Sequence, residues 1–146
     1  MTSSSQITIA DRVIAAFNQG DWNQLATIFS PDIAYTETGT NRAVQGAEAY
    51  MQLLAGWRHV FPDCTGTIQT TVAEGNLVVH QVCWEGTQAA PLPTPGGEVP
   101  NQGRKIRVNG SLWYTIDRAR VTAIHHQLDV FTMLQQLGAF DQQPQP

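Results

Sequence analysis

The sequence predicts an α+β fold, a curved antiparallel sheet wrapped by N-terminal helices. Two observations carry this prediction. Apolar residues recur at helical spacing through roughly the first 60 positions and at strand spacing from Thr65 onward. Helices first and hairpin-linked strands second is the order of an α+β protein, not of alternating βαβ units.

The first helix is predicted from Thr8 to Gln19, with Ile9, Val13, Ile14 and Phe17 on one stripe. Asn18-Gln19-Gly20 breaks it. Asp21 then has the character of an N-cap for a short second helix that turns Trp22, Leu25, Ile28 and Phe29 inward. Ser30-Pro31-Asp32 closes that helix, a strand follows from Ile33 to Glu37, and Thr38 to Gln45 reads as a turn-rich loop. The third helix starts after Gly46, carries Tyr50, Leu53, Leu54, Trp57 and Phe61 along one face, and stops at Pro62.

From there the pattern is strand-like. Thr65–Ala73 and Leu77–Glu85 flank the hairpin signal Glu74-Gly75-Asn76. Gly86 to Gly103, rich in Pro and Gly, reads as a long loop of the kind that borders binding sites. Arg104–Asp117 alternates cleanly. Ile106, Val108, Leu112, Tyr114 and Ile116 share one face, and Lys105, Arg107, Asn109, Ser111, Trp113 and Thr115 share the other. Gly110 reads as a bulge or bend. After a turn at Asp117–Arg120 the last strand runs from Val121 to Asp129. A short helix from Phe131 to Leu137 then ends at Gly138, a C-cap residue. With no linker and no repeat, residues 1–146 read as a single domain with its core at about 9–138 and a disordered tail from Asp141.

Composition narrows the function. Only 14% of residues are charged and the net charge is −4, with Lys and Arg scattered. Nucleic acid needs a basic face, so it is excluded as a partner. The N-terminus Met1-Thr2-Ser3-Ser4-Ser5 lacks a basic region followed by an apolar run. That predicts a cytoplasmic protein with no secretory signal and no membrane span. Cys64 and Cys83 are expected to be free thiols packed as small hydrophobes. Low charge, together with Trp113 on a polar strand face, points to a homodimer across the outer face of the sheet.

Neither Gly-x-x-x-x-Gly-Lys-Ser/Thr nor Gly-x-Gly-x-x-Gly is present, so no nucleotide cofactor is expected. Metal-ligand spacings are missing too, and no metal is expected. Acid–base chemistry remains. Asp129 stands at the end of an apolar strand before Val130, Phe131, Met133 and Leu134, where a carboxylate is costly unless paired or neutral. That makes it a candidate general acid/base. His125 has the same strand parity, so the two are expected to project into one cavity. The competing reading makes Asp129 the N-cap of the last helix. Tyr35, Trp57, Phe61, Trp84 and Tyr114 are candidates to line a pocket for a small, largely apolar molecule, or else simply to fill the core.

Phe61-Pro62-Asp63, Glu74-Gly75-Asn76-Leu77-Val78, Gly86-Thr87, and Asp129 leading to Gln136-Leu137-Gly138 occur in an order and spacing that resembles the SnoaL-like polyketide cyclase (ester cyclase) family of the nuclear transport factor 2-like superfamily. The resemblance spans about Ile9 to Gly138. It implies a cone-shaped α+β fold, usually dimeric, and ring closure by intramolecular aldol condensation without metal or cofactor. By the same resemblance Asp129 matches the family's general acid/base. Gln88 and Thr36 stand where family members often carry His. Two functional classes follow. One is an enzyme, a polyketide-type cyclase or a related isomerase or hydrolase, in which Asp129 moves the proton while His125 and Gln88 orient the substrate or steady an enolate oxygen. The other is a binding module with the same pocket and no chemistry.

Overall fold

A computed structural model describes residues 3–141, in which four helices and eight strands follow one another. Helix α1 (Ser3–Gln19) and helix α2 (Trp22–Ile28) open the chain. Asp21 caps α2, its carboxylate accepting from the Gln24 N–H at 3.1 Å. The first strand, β1 (Phe29–Thr38), begins four residues before its expected start at Ile33, so Phe29 belongs to the strand and not to the helix. The segment expected as a loop contains β2 (Arg42–Gln45), an antiparallel partner of β1. Local turn residues marked the break correctly but hid the short strand behind it.

Helix α3 (Ala47–Val60) is followed by the hairpin of β3 (Thr65–Glu74) and β4 (Leu77–Thr87). Gly75 makes the turn with φ of 58°. The long loop is not structureless, because β5 (Leu92–Thr94) and β6 (Gly97–Val99) form a hairpin inside it. Strands β7 (Lys105–Asp117) and β8 (Arg120–Leu128) then pair, and α4 (Val130–Gln136) ends the fold. Residues 142–146 of the expected tail lie outside the described residues. Asp141 itself pairs with Arg104 at 2.8 Å.

The main sheet has the order β2-β1-β8-β7-β4-β3. Every pairing is antiparallel except β1 with β8, which is parallel. The sheet is therefore mixed, not purely antiparallel. Its one parallel contact joins strands from opposite ends of the chain, which no local pattern announces. The alternation in β7 holds: Ile106, Val108, Leu112, Tyr114 and Ile116 are buried, and Trp113 lies outside.

Gly110 is neither a bulge nor a bend. It pairs in unbroken register with Val82 and Leu128, and the register shift between β7 and β8 falls at Thr115/Ile116 instead. Glycine is required at 110 for space. A Cβ there would lie 2.6 Å from Nε2 of His126.

Two apolar clusters fill the space between sheet and helices. The larger packs α1, α2 and α3 on the inner sheet face, and the smaller gathers Phe61, Ile106, Val108, Met133 and Leu137 beneath α4. Among the described residues, no helix is long and apolar enough to cross a membrane.

Candidate functional site: an apolar cavity and its hydrogen-bond chains

An apolar cavity of about 60 Å³ opens where the two clusters meet. The sheet supplies Tyr35 from β1, Trp84 from β4, Tyr114 from β7 and His126 from β8. The helices supply Phe17, Tyr50, Trp57 and Met133. All three tyrosines of the chain face it. Five of the residues expected from sequence, Tyr35, Trp57, Phe61, Trp84 and Tyr114, line this cavity. Inward strand parity and the apolar stripe of α3 were enough to find them.

Asp129 and His125 are not brought together there. Asp129 is exposed and caps α4, accepting from Thr132 N–H at 3.1 Å and Thr132 Oγ1 at 2.7 Å. His125 lies on the outer sheet face, with its Nδ1 2.7 Å from Thr36 Oγ1 and its Nε2 3.3 Å from Thr38 Oγ1. The shared parity of 125 and 129 has no bearing on the cavity, because β8 ends at Leu128 and the chain turns before 129. Gln88 is buried but does not line the cavity. Its amide donates to Ala90 O at 3.2 Å and Val99 O at 3.3 Å, and its Oε1 accepts from Gln102 N at 3.4 Å, bracing the β5–β6 hairpin from within.

His126 is the histidine on the cavity wall, and it belongs to a directed chain. Trp84 Nε1–H can only donate, and it donates to His126 Nε2 at 3.3 Å. In the neutral ring the proton then sits on Nδ1, which donates to Tyr35 Oη at 3.1 Å. Tyr35 in turn donates to Oε2 of Glu37, and Thr40 Oγ1 donates to Oε1 of Glu37 at 2.6 Å. Glu37 is only 2% exposed. Burial, with the neighbouring His125 adding to it, pushes the His126 pKa down to about 3, so the ring is neutral at neutral pH. Burial likewise raises Tyr35 well above the ordinary phenol range, with help from Tyr50 and Glu37.

A second chain lies on another part of the wall. Asp11 of α1 accepts from His80 Nε2 at 2.9 Å, which leaves His80 Nδ1 to accept from Tyr114 Oη–H at 3.1 Å. His80 is fully buried, and that burial lowers its pKa against the opposing pull of Asp11. Cys64 also lines the cavity. Burial pushes its thiol up to about 11, so it is not a thiolate nucleophile at neutral pH.

Sequence reasoning missed Glu37 and left open which of His125 and His126 faces the pocket, although a signal for each existed. Ile33, Tyr35 and Glu37 alternate onto one face, and His126 stands between the apolar Ile124 and Leu128 at their parity. Both residues were legible as polar groups on an inward strand face.

Outside the cavity runs a groove of about 430 Å³. It lies between the β1–β2 turn, the β5–β6 hairpin, α4 and Phe140. Trp57 and Met133 line both spaces, so groove and cavity meet across these two side chains.

With this geometry, relatives can be compared. The profile of the SnoaL-like polyketide cyclase family matches residues 7–137. The chain belongs to that family. A provisionally assigned SnoaL-like polyketide cyclase from Jannaschia sp. CCS1 shares the fold with a TM-score of 0.83 at 20% identity, over 94% of each chain. IdmH from Streptomyces antibioticus, provisionally a polyketide cyclase, is 26% identical with a TM-score of 0.77 over 91% of this chain and 98% of its own. An LEH-like epoxide hydrolase of M. tuberculosis superposes with a TM-score of 0.74 at 15% identity, over 92% of this chain and 90% of its own. None of the curated proteins matches. These proteins share the fold of this chain, while the activities attributed to them differ.

Proposed function

We propose that this SnoaL-like protein is a small-molecule enzyme working by general acid–base catalysis, with His126 rather than Asp129 as the base. One observation carries the reading: the buried chain Trp84–His126–Tyr35–Glu37 on the cavity wall. An imidazole held neutral, with a long bond at Nε2 and a carboxylate behind Nδ1, is organised to take a proton.

The reaction class it suits best is ring closure of an apolar, polyketide-like carbonyl compound by intramolecular aldol addition. A substrate that enters the cavity displaces the Trp84 N–H from His126 Nε2, and the freed nitrogen takes the proton from the carbon next to a carbonyl. The Nδ1 proton passes to Tyr35, and the Tyr35 proton passes to Glu37. The enolate carbon then bonds to a second carbonyl carbon, and the alkoxide formed takes the proton back through the same chain. Nothing is oxidised or reduced, so no redox cofactor is required. The companion proposal is a homodimer joined through the outer sheet face.

The test is turnover of cyclisable diketones by His126→Gln, Glu37→Gln and Asp129→Asn. The first two should lose ~10²–10⁴-fold, the usual worth of a general base. Asp129→Asn should stay near wild type, because Asn caps a helix about as well as Asp. Undiminished turnover in His126→Gln, with loss in Asp129→Asn, would return the chemistry to Asp129. A second reading, a binding protein without chemistry, is favoured by one feature: Trp84 already occupies His126 Nε2. It predicts ligand binding with no turnover in any of the four proteins.

A further inference from the structure

We propose that the ligand is an amphipathic anion, whose apolar body lies on Trp57 and enters the cavity while its carboxylate or equivalent acid group is held by Arg42 in the groove. This rests on the reading above only in taking the cavity and groove as one ligand site.

Among the described residues, Arg42 is the only basic side chain lining the groove, and Glu98, an exposed residue of β6, is the only acidic one. Arg42 has no ion pair within 4 Å among the described residues, whereas Arg104 and Arg107 are paired with Asp141 and Glu85. It is half-buried, with its guanidinium 6.0 Å from the centre of the Trp57 ring. A cation held over an aromatic face is already partly dehydrated, and a guanidinium is shaped to take two oxygens of one acid group at once.

The register sets Arg42 opposite Glu37 across β1 and β2, yet the Glu37 oxygens are taken by Tyr35 and Thr40. Arg42 is therefore not consumed by the proposed base. Trp57 lines both the groove and the cavity, so a molecule bound at Arg42 through its acid end lies against a side chain of the wall that also carries His126. A chain of net charge −4 gives an anion little general attraction, so a local cation has to supply it. The competing account makes Arg42 a distant counter-charge for Glu37, with no ligand role.

Two fluorescent probes separate these accounts. 8-Anilinonaphthalene-1-sulfonate and N-phenyl-1-naphthylamine share the same rings, and only the first carries an acid group. Titrated into the full chain at low salt, the sulfonate should bind ~10-fold more tightly than the neutral probe, the worth of one charge-assisted contact. Arg42→Gln should remove that preference, weakening the sulfonate and leaving the neutral probe unchanged. Arg42→Lys should restore part of it, and salt should erode it in wild type. Trp57→Leu should weaken both probes. Equal affinity of the two probes for wild type, an equal loss of both in Arg42→Gln, or no binding of either would overturn the inference. None of these readouts needs turnover. An inactive His126→Gln protein that keeps the preference supports the anion site, and a protein inert towards every diketone that still shows it tells against the catalytic reading alone.

Discussion

His126 and Asp129 are near neighbours in the chain, yet their surroundings differ in every respect that matters to chemistry. Asp129 is exposed and its oxygens serve the first turn of α4, while His126 is buried with each ring nitrogen assigned by a partner. The buried imidazoles have a consequence for acid stability. In the folded chain, burial lowers the pKa of His80 from its ordinary 6.5 and takes that of His126 to about 3. Between 6.5 and these lower values the unfolded chain binds more protons than the folded one. Stability must therefore fall as pH falls below 6.5, by at most about 1.4 kcal/mol per pH unit for each histidine. Urea unfolding at steps from pH 7.5 to 5.0, above most carboxylate titration, should show this loss, and His126→Gln should reduce the slope. A wild-type midpoint that stays level across that range would contradict the placement of both rings.

Packing at the level of elements explains why the strands carry glycine and glutamine where they do. Strand β7 passes so close to β8 at Gly110 that a methyl group would meet His126 Nε2 at 2.6 Å and the Gln127 carbonyl oxygen at 3.3 Å. Gly110→Ala must displace the His126 ring and break its bond from Trp84. The expected result is a loss of turnover comparable to His126→Gln, with a stability cost of about 1–3 kcal/mol from overpacking. Near-normal turnover in Gly110→Ala would show that the position of the ring is immaterial.

The β5–β6 hairpin has a different support. It forms its own two-stranded sheet, and Gln88 reaches under it to three backbone groups. Gln88→Ala would leave two buried carbonyls without this donor, at about 1–3 kcal/mol. Amide exchange in Leu92–Val99 should accelerate in that variant while β7 stays protected. Unchanged exchange in the hairpin would mean that its anchors lie elsewhere.

For the whole molecule, the outer sheet face is where the proposed second copy would pack. Trp113 is 40% exposed there, with its Nε1 donating to Ser111 Oγ at 3.1 Å, and Thr36, Thr38 and His125 share the outer side of the sheet. An aromatic among hydroxyls, on a chain with only 14% charged residues, has the composition of an interface. Light scattering at micromolar concentration should give twice the mass of one chain. Trp113→Lys should halve it without loss of helix or sheet signal. A wild-type monomer would remove the dimer proposal and leave the cavity argument standing.

The sequence by itself determined the kind and order of most elements, because helical and strand periodicity are local. The stripe of α3 and the alternation of β7 were visible residue by residue, and they named Trp57, Phe61 and Tyr114 among the aromatic residues that line the cavity. The same local evidence offered Asp129 both a catalytic and a capping role and could not choose between them. Tertiary structure decided what depended on distant partners. Glu37 is tolerable in the interior only because Tyr35 and Thr40 satisfy it, and Tyr35 meets His126 across 91 residues of chain. The parallel contact of β1 with β8 makes that meeting possible. Which of two adjacent histidines turns inward is set by the register of that pairing, and a shift of one residue would exchange them.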